Sequence, residues 1–388
     1  MDARIPDRIV NRIAVLYIAP WVIPGGSDKG TVDWFRTIDR GSFETHLITT
    51  NVAENFLVPR IERLAKAVWN LPDFLEPEQF GPFILDYVRR HRIAVVHVMN
   101  SQLGFDLIPY LKAVRPAVAV VVQQHAEEDD ESLYVRYVAL RYGHLLDAYS
   151  ATSEDLKRRI VGYGVDPARV EVIYTGIDAE TEWVPGQRPQ RPSASAEFPL
   201  RVLYPGRLEE QKDPHLMLDI AQELKRLDAP VVIDVVGDGS LRADLEARAE
   251  ADGLCGNVVF QGLSLDMASW YRKADVVLMT SRYEGIPYVL FEAMAMGVPV
   301  VAPDVNANAE LVDEAVGSLI VDRADIAAYV GTLQAWVTRP DLVRALGRTA
   351  RQRVLDRFSL RSMAVAHEAL YRRLAAAMSS GEARVHPS

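Results

Sequence analysis

Short apolar runs recur along the chain, separated by stretches whose apolar residues return at three- and four-residue spacing. Arg12 to Ile18, Thr45 to Thr49, Ala67 to Leu71, Ile93 to Met99, Ala117 to Val122, Asp147 to Ala151 and Val170 to Ile173 read as strands. Helix-length segments lie between most of them; after Arg12 to Ile18 come Pro20, Trp21, Pro24 and the pair Gly25-Gly26, and then helical spacing at Val32, Phe35 and Ile38. Alternation of this kind predicts a mainly parallel sheet covered on both faces by helices.

The texture changes from Trp183 to Pro199, where four prolines and short polar residues leave nothing apolar enough for a strand interior, so 183–199 is expected to be a linker. The strand signal resumes at Leu200 to Tyr204, followed by Val231 to Val236, Asn257 to Phe260, Asp275 to Met279, Val298 to Ala302 and Ser318 to Val321. Asp325 to Val337, Asp341 to Arg357 and Leu360 to Met378 then read as helices. The expectation is an α/β chain of two doubly wound halves facing a cleft, 1–182 and 200–355, with a final helix over 356–378 and a frayed tail over 379–388.

The stretch DVVLMTSRYEGIPYVLFEAMAMGVPVV, Asp275 to Val301, concentrates the candidate chemistry. A strand gives way to a polar turn carrying Glu284, then to a helix opened by Pro287, then to a second strand. Glu284 falls at the carboxyl end of its strand, the position where open parallel sheets bind ligands. Glu292 lies among Val289, Leu290, Phe291, Ala293, Met294 and Met296 and needs a partner, because a lone buried carboxylate is costly. The free N–H groups of the helix between them favour an anion nearby. Read from these residues alone, the two glutamates serve either a ligand or the packing of a buried strand-helix-strand unit.

Arg207 and Lys212 follow the first strand of the second half in Pro205-Gly206-Arg207-Leu208-Glu209-Glu210-Gln211-Lys212, where two cations suit a diphosphate or pair with the acidic residues of the same loop. Val235-Val236-Gly237-Asp238-Gly239-Ser240 is a strand and glycine turn. It fails as a dinucleotide fingerprint because Arg242 occupies the third glycine position, which leaves a backbone approach to a nucleotide at Gly237 or an ordinary tight turn. His125 directly follows a strand, whereas His97 within VVHVM reads as packed inside the sheet.

Taken together, Glu284-Gly285-Ile286-Pro287, Glu292-Ala293 and Gly297-Val298-Pro299-Val300-Val301 resemble the donor-site signature of the retaining GT-B glycosyltransferases of the family-4 type, and Gly206-Arg207-Leu208 with Lys212 resembles that family's Gly-Arg-Leu-x3-Lys pattern. The resemblance implies two Rossmann-like domains, with a last helix crossing back to the first. It implies that Glu292 holds the ribose, that Glu284 and the backbone of Gly285, Ile286, Pro287 and Tyr288 hold sugar hydroxyls, and that Arg207 and Lys212 hold the diphosphate. Gly237 and Leu263 would then lie beside the nucleotide, Gly25 and Gly26 would approach the donor phosphates from the first half, and His125 would act near the transferred sugar. Ser153-Glu154 and Thr175-Gly176-Ile177-Asp178 resemble the family's architectural turns. Two departures stand out: Thr175 where asparagine is usual, and Asn306-Ala307 where a Gly-Gly turn is common.

Composition narrows the classes further. A chain of 388 residues with 49% hydrophobic content can bury two cores of ordinary size. A formal net charge of −10 argues against a nucleic-acid partner, and the single cysteine, Cys255, excludes an intramolecular disulfide and any multi-cysteine metal site. The amino-terminal residues lack the apolar core of a leader and no run reaches membrane-spanning length, so a soluble cytoplasmic protein is expected. Tyr134 to Leu146, with its aromatics and Arg136 and Arg141, is the candidate for peripheral contact at the inner membrane face, although its apolar positions suit packing on a sheet equally well.

The expected activity is transfer of a sugar from a nucleotide-diphosphate sugar to an acceptor hydroxyl with retention at the anomeric carbon, in surface polysaccharide, glycolipid or glycoconjugate synthesis. The acceptor would be a carbohydrate or lipid-linked, with no cofactor beyond the donor and no metal, since two side-chain cations are available and no Asp-x-Asp motif stands at a strand end. Two rivals share the fold. A nucleotide-sugar epimerase would turn over donor without acceptor, and a silent binding or scaffold subunit would have no use for the charges of Arg207, Lys212, Glu284 and Glu292.

Overall fold

The computed structural model describes residues 12–23, 26–124, 134–186, 194–195, 197–284 and 287–380. Alternate residues of the early strands serve opposite faces of one sheet: Leu16, Ile18, Val96, Val98, Val120 and Val122 pack into one core, Val15, Tyr17, Val95, Ala119 and Val121 into another. Both sets are apolar, as a strand covered on both sides requires. The strands β1 (Ile13–Ala19), β2 (Phe43–Thr49), β3 (Ala67–Asn70), β4 (Val95–Met99), β5 (Ala119–Gln124), β6 (Ala148–Ala151) and β7 (Val170–Val172) form a parallel sheet in the order β3-β2-β1-β4-β5-β6-β7.

A second parallel sheet holds β8 (Leu200–Pro205), β9 (Val231–Val236), β10 (Val258–Gly262), β11 (Val276–Leu278), β12 (Val300–Pro303) and β13 (Gly317–Ile320), in the order β10-β9-β8-β11-β12-β13. Each sheet reverses its winding once, between β1 and β4 in the first and between β8 and β11 in the second, which creates a crevice at the carboxyl ends of those strands. Both sheets are of the doubly wound, Rossmann-like kind that the sequence pattern predicts.

Each sheet belongs to its own compact unit. Among the described residues the chain passes from the first unit to the second between Thr175 and Gly176 and returns between Ser359 and Leu360. The division at 182 expected from composition is therefore corrected. Trp183, placed in the linker by its proline-rich neighbours, is buried in the second unit with its ring centroid 5.7 Å from that of Tyr271, and Arg351 donates to the carbonyls of Ala179 and Trp183 at 3.0 and 3.1 Å. A large apolar side chain anchors that segment despite its composition. Ile177 pairs with Phe358 through a backbone bond of 2.9 Å, so the two crossings lie side by side.

Likewise the last helical stretch divides after Arg357: helix Pro340–Arg357 stays with the second unit, and helix Leu360–Ser380 lies in the first. Leu360, Met363, Leu370, Tyr371 and Leu374 fill the core on one face of the first sheet, and His97, fully buried on β4, places Nδ1 2.5 Å from the Tyr371 hydroxyl. His97 is thus a packed residue of the sheet, as its position within VVHVM predicts. Helix Tyr134–Tyr142 buries Val135, Val138, Ala139 and Tyr142 in the first unit, which accounts for its apolar positions. Among the described residues no helix is long and apolar enough to cross a membrane.

Candidate functional site at the strand ends of the second unit

At the winding reversal of the second sheet, the loop after β8 meets the turn after β11. Gly206 leaves β8 with φ +144, a short 3-10 turn follows over Glu210–Lys212, and Asp213 adopts a left-handed φ of +46 before helix Pro214–Arg226 begins. The backbone of this loop is held from below: the Tyr204 hydroxyl donates to the Lys212 carbonyl at 2.7 Å, and Thr280 Oγ1 lies 2.9 Å from the carbonyls of Lys212 and Asp213. Asp213 accepts a charged hydrogen bond from Arg323 at 2.5 Å. Its unusual φ is therefore fixed by contacts on both sides.

So braced, Lys212 reaches across the reversal to Glu284. Its Nζ lies 2.5 Å from Glu284 Oε1, and Ser281 Oγ donates to the same oxygen at 2.5 Å. The Glu284 side chain is only 5% exposed and that of Lys212 17%, so the carboxylate depends on these donors for the solvation it has lost. Gln211 stitches the two loops together, its carbonyl accepting from Arg282 N at 2.8 Å and its Nε2 donating to the Tyr283 carbonyl at 3.2 Å. Arg207 stands exposed on the same loop and donates to Gln211 Oε1 at 2.8 Å.

Glu292 lies in helix Tyr288–Ala295, which Pro287 caps, and is half-buried. The partner its apolar surroundings call for is Tyr271, whose hydroxyl donates to Oε2 at 2.9 Å. Burial, reinforced by the Glu292 charge, pushes the Tyr271 hydroxyl well above the usual tyrosine range, so it remains a donor across the accessible pH range.

Gly237 is accounted for within the protein. With φ +154, a Cβ at this position would sit 1.8 Å from the Gly206 carbonyl oxygen, and one on Gly239 would sit 2.4 Å from that of Leu208. The glycines are required by the close packing of the loops after β8 and β9. Gly237 N donates to the Gly262 carbonyl at 2.9 Å, which sets the end of β10 beside them, and Leu263 follows with its side chain 76% exposed.

Lys212 and Glu284 are thus in direct contact, Arg207 shares the loop of Lys212, and Pro287, Tyr288 and Glu292 belong to the capped helix that follows Glu284. Gly26 begins helix Gly26–Thr37 of the first unit, whereas Gly25, His125, Gly285 and Ile286 lie outside the described residues. Residues that sequence reasoning did not assign are Ser281, Gln211, Tyr271 and Asn306, the last of which accepts a hydrogen bond from the Glu284 backbone N–H at 2.9 Å. Ser153, read as architectural, caps helix Glu154–Gly162 by accepting from Leu156 N. A cavity of about 240 Å³ lined by Phe198, Pro199, Trp336 and Arg344 opens near the start of β8 and contains none of the candidate residues.

Two family models match the chain in succession, Glycosyltransferase Family 4 over residues 24–181 and Glycosyl transferases group 1 over residues 187–353. The chain belongs to the family-4 type of GT-B glycosyltransferases. This family member is 33% identical over 211 residues to a D-inositol 3-phosphate glycosyltransferase of Frankia alni, covering 51% of this chain and 48% of the relative. It is 24% identical over 374 residues, 90% of this chain and 94% of the relative, to UDP-Gal:alpha-D-GlcNAc-diphosphoundecaprenol alpha-1,3-galactosyltransferase of Escherichia coli. Another curated relative is matched over only 20% of its length. The crystal structure of Anabaena Alr3699/HepE in complex with UDP shares the fold, with a TM-score of 0.76 at 17% identity over 93% of this chain and 100% of that one.

Proposed function

We propose that the protein transfers a sugar from a nucleotide-diphosphate sugar to an acceptor hydroxyl with retention at the anomeric carbon. The observation that carries this reading is the Lys212–Glu284 pair at the winding reversal of the second sheet, 2.5 Å apart and shielded from water. A lysine ammonium has three donors and a carboxylate accepts more than two bonds, so the pair can hold itself together while Lys212 also binds a phosphate oxygen and Glu284 a sugar hydroxyl. Arg207, exposed on the same loop, adds the second positive charge for the diphosphate. Glu292, oriented by Tyr271, serves the ribose, and exposed Leu263 serves the base.

In the transfer, the bond from the anomeric carbon to the diphosphate oxygen breaks and its electron pair goes to the leaving phosphate. The acceptor oxygen bonds to the same face of the carbon, and its proton passes to that phosphate. No enzyme nucleophile is needed. Arg207 and Lys212 stabilise the charge that develops on the leaving group, the electrostatic contribution that is often the largest in such reactions. With those cations in place the reading needs no metal. The backbone of Gly285, Ile286, Pro287 and Tyr288 contributes to holding the sugar, and the roles of Gly25, Gly26 and His125 rest on the family resemblance alone.

The full-length resemblance to a galactosyltransferase whose name specifies a diphosphoundecaprenol acceptor supports a carbohydrate or lipid-linked acceptor and a place in surface polysaccharide or glycolipid synthesis at the inner membrane face. Incubation with UDP-, GDP- and ADP-sugars and a panel of such acceptors tests the reading. The expected product carries the donor's anomeric configuration by NMR. An inverted product would refute retention, and donor epimerised without any acceptor would favour the epimerase.

A further inference from the structure

The turn between β12 and helix Asn308–Leu311 departs from the Gly-Gly that is common in the family, and its geometry gives the departure a use. Asn306 has φ +46, the left-handed conformation that glycine adopts freely and that asparagine tolerates better than other side chains. The backbone shape open to a glycine is thus retained. What asparagine adds is a side chain, and its Oδ1 accepts the backbone N–H of Glu284 at 2.9 Å. The turn that presents this acceptor is itself anchored: fully buried Asn308 donates through Nδ2 to the Pro303 carbonyl at 2.9 Å, and Asp304 N donates to the Ile320 carbonyl at 2.8 Å. Glu284 is consequently fixed at its carboxylate by Lys212 and Ser281 and at its backbone by Asn306.

We propose that Asn306 is a positioning residue that locks the Glu284 backbone, and that through this lock it sets how strictly the site discriminates donor sugars differing in the orientation of one hydroxyl. The proposal rests on the transferase reading above, with Glu284 facing the sugar. A carboxylate pinned at one end only can pivot to follow a misplaced hydroxyl. One pinned at both ends cannot, so a wrong epimer leaves buried polar groups unpaired and is rejected.

The variants Asn306→Gly and Asn306→Asp separate the backbone from the side chain. Glycine keeps the left-handed turn and removes the acceptor; aspartate keeps both. Calorimetry with nucleoside diphosphate comes first, followed by kcat and KM for the donor that the wild-type protein turns over and for its C4 epimer, for example UDP-glucose beside UDP-galactose. Asn306→Gly is expected to bind nucleoside diphosphate within about twofold of wild type, since base, ribose and phosphate contacts are untouched, while kcat falls roughly tenfold or more and selectivity between epimers falls with it. Asn306→Asp is expected to retain both.

Wild-type kcat and selectivity in Asn306→Gly would overturn the proposal, as would an Asn306→Asp variant as impaired as the glycine one. Loss of diphosphate affinity and melting temperature in step with kcat would reduce Asn306 to a folding role. Wild-type protein that binds no nucleoside diphosphate overturns the transferase reading and this proposal with it, whereas normal wild-type turnover beside an unaffected glycine variant overturns the role of Asn306 alone.

Discussion

Removing one member of the Lys212–Glu284 pair is expected to destabilise the second unit asymmetrically. Glu284 is 5% exposed and has two side-chain donors on one oxygen, Lys212 at 2.5 Å and Ser281 at 2.5 Å. Lys212→Met leaves the carboxylate with the serine alone, and breaking a buried pair in this way costs about 3–5 kcal/mol. Glu284→Gln strands a lysine whose side chain is 17% exposed and can turn toward water, so the loss there is smaller, about 1–2 kcal/mol. The double variant leaves no charge unpaired and is expected to be less destabilised than the sum of the singles, with a coupling of about 1–3 kcal/mol. In a unit of this size each kcal/mol moves the melting temperature by roughly 2–4 °C, so Lys212→Met should lose on the order of 10 °C. Scanning calorimetry of the full chain without nucleotide, run on all four members of the cycle, measures this. Additive single effects, or a Lys212→Met transition within about 2 °C of wild type, would refute the argument that the pair is buried and mutually dependent.

The two glutamates are expected to fail differently. Glu292→Gln should weaken nucleoside diphosphate binding by calorimetry while turnover at saturation changes less, because a ribose contact is the same in the ground and transition states; Glu284→Gln should lower turnover more than it weakens nucleotide affinity. The reverse pattern would mean that the donor lies the other way round. Activity is expected to survive EDTA if Arg207 and Lys212 neutralise the diphosphate as proposed, and loss on chelation that magnesium or manganese restores would contradict this. In the first unit, burial raises the Asp28 carboxyl from 3.8 to about 6. The folded state therefore holds the proton more tightly than the unfolded one, and stability should fall as pH rises from about 4 through 6 and then level off. Asp28→Asn should flatten that slope, gaining on the order of 1 kcal/mol at pH 7.5 and nothing at pH 3, as read from urea unfolding midpoints.

The strands were legible because runs such as Val231 to Val236 and Asp275 to Met279 are apolar on both faces, and the order of strands and helices left a doubly wound sheet as the expected solution. Glu284 and Lys212 could each be placed at a strand end from local pattern. Their contact could not, because it joins residues separated by 72 positions and depends on β8 lying next to β11. Tyr271 sat unnoticed for the same reason: no spacing in the sequence links helix Met267–Lys273 to Glu292. At Gly237 the sequence could not show the close approach of the Gly206 carbonyl, because a glycine after a strand has the same signature whether ligand or protein backbone lies against it. The unit boundary was misplaced by composition, prolines after Trp183 outweighing one buried indole. Asn306 was visible as a departure from the family pattern, but its consequence needed the positive φ and the bond to Glu284.

Nucleoside diphosphate binding to the wild-type protein tests the central claim most directly, because the proposed base, ribose and diphosphate contacts of Leu263, Glu292, Arg207 and Lys212 all belong to the second unit. At a hundredfold excess over its dissociation constant a ligand specific for the folded state stabilises it by ~2.7 kcal/mol. Thermal unfolding with UDP, GDP and ADP in turn should show a clear rise with one of them, and that rise should vanish in the Arg207→Ala and Lys212→Ala double variant. No rise with any nucleotide, or an undiminished rise in the double variant, would contradict the account.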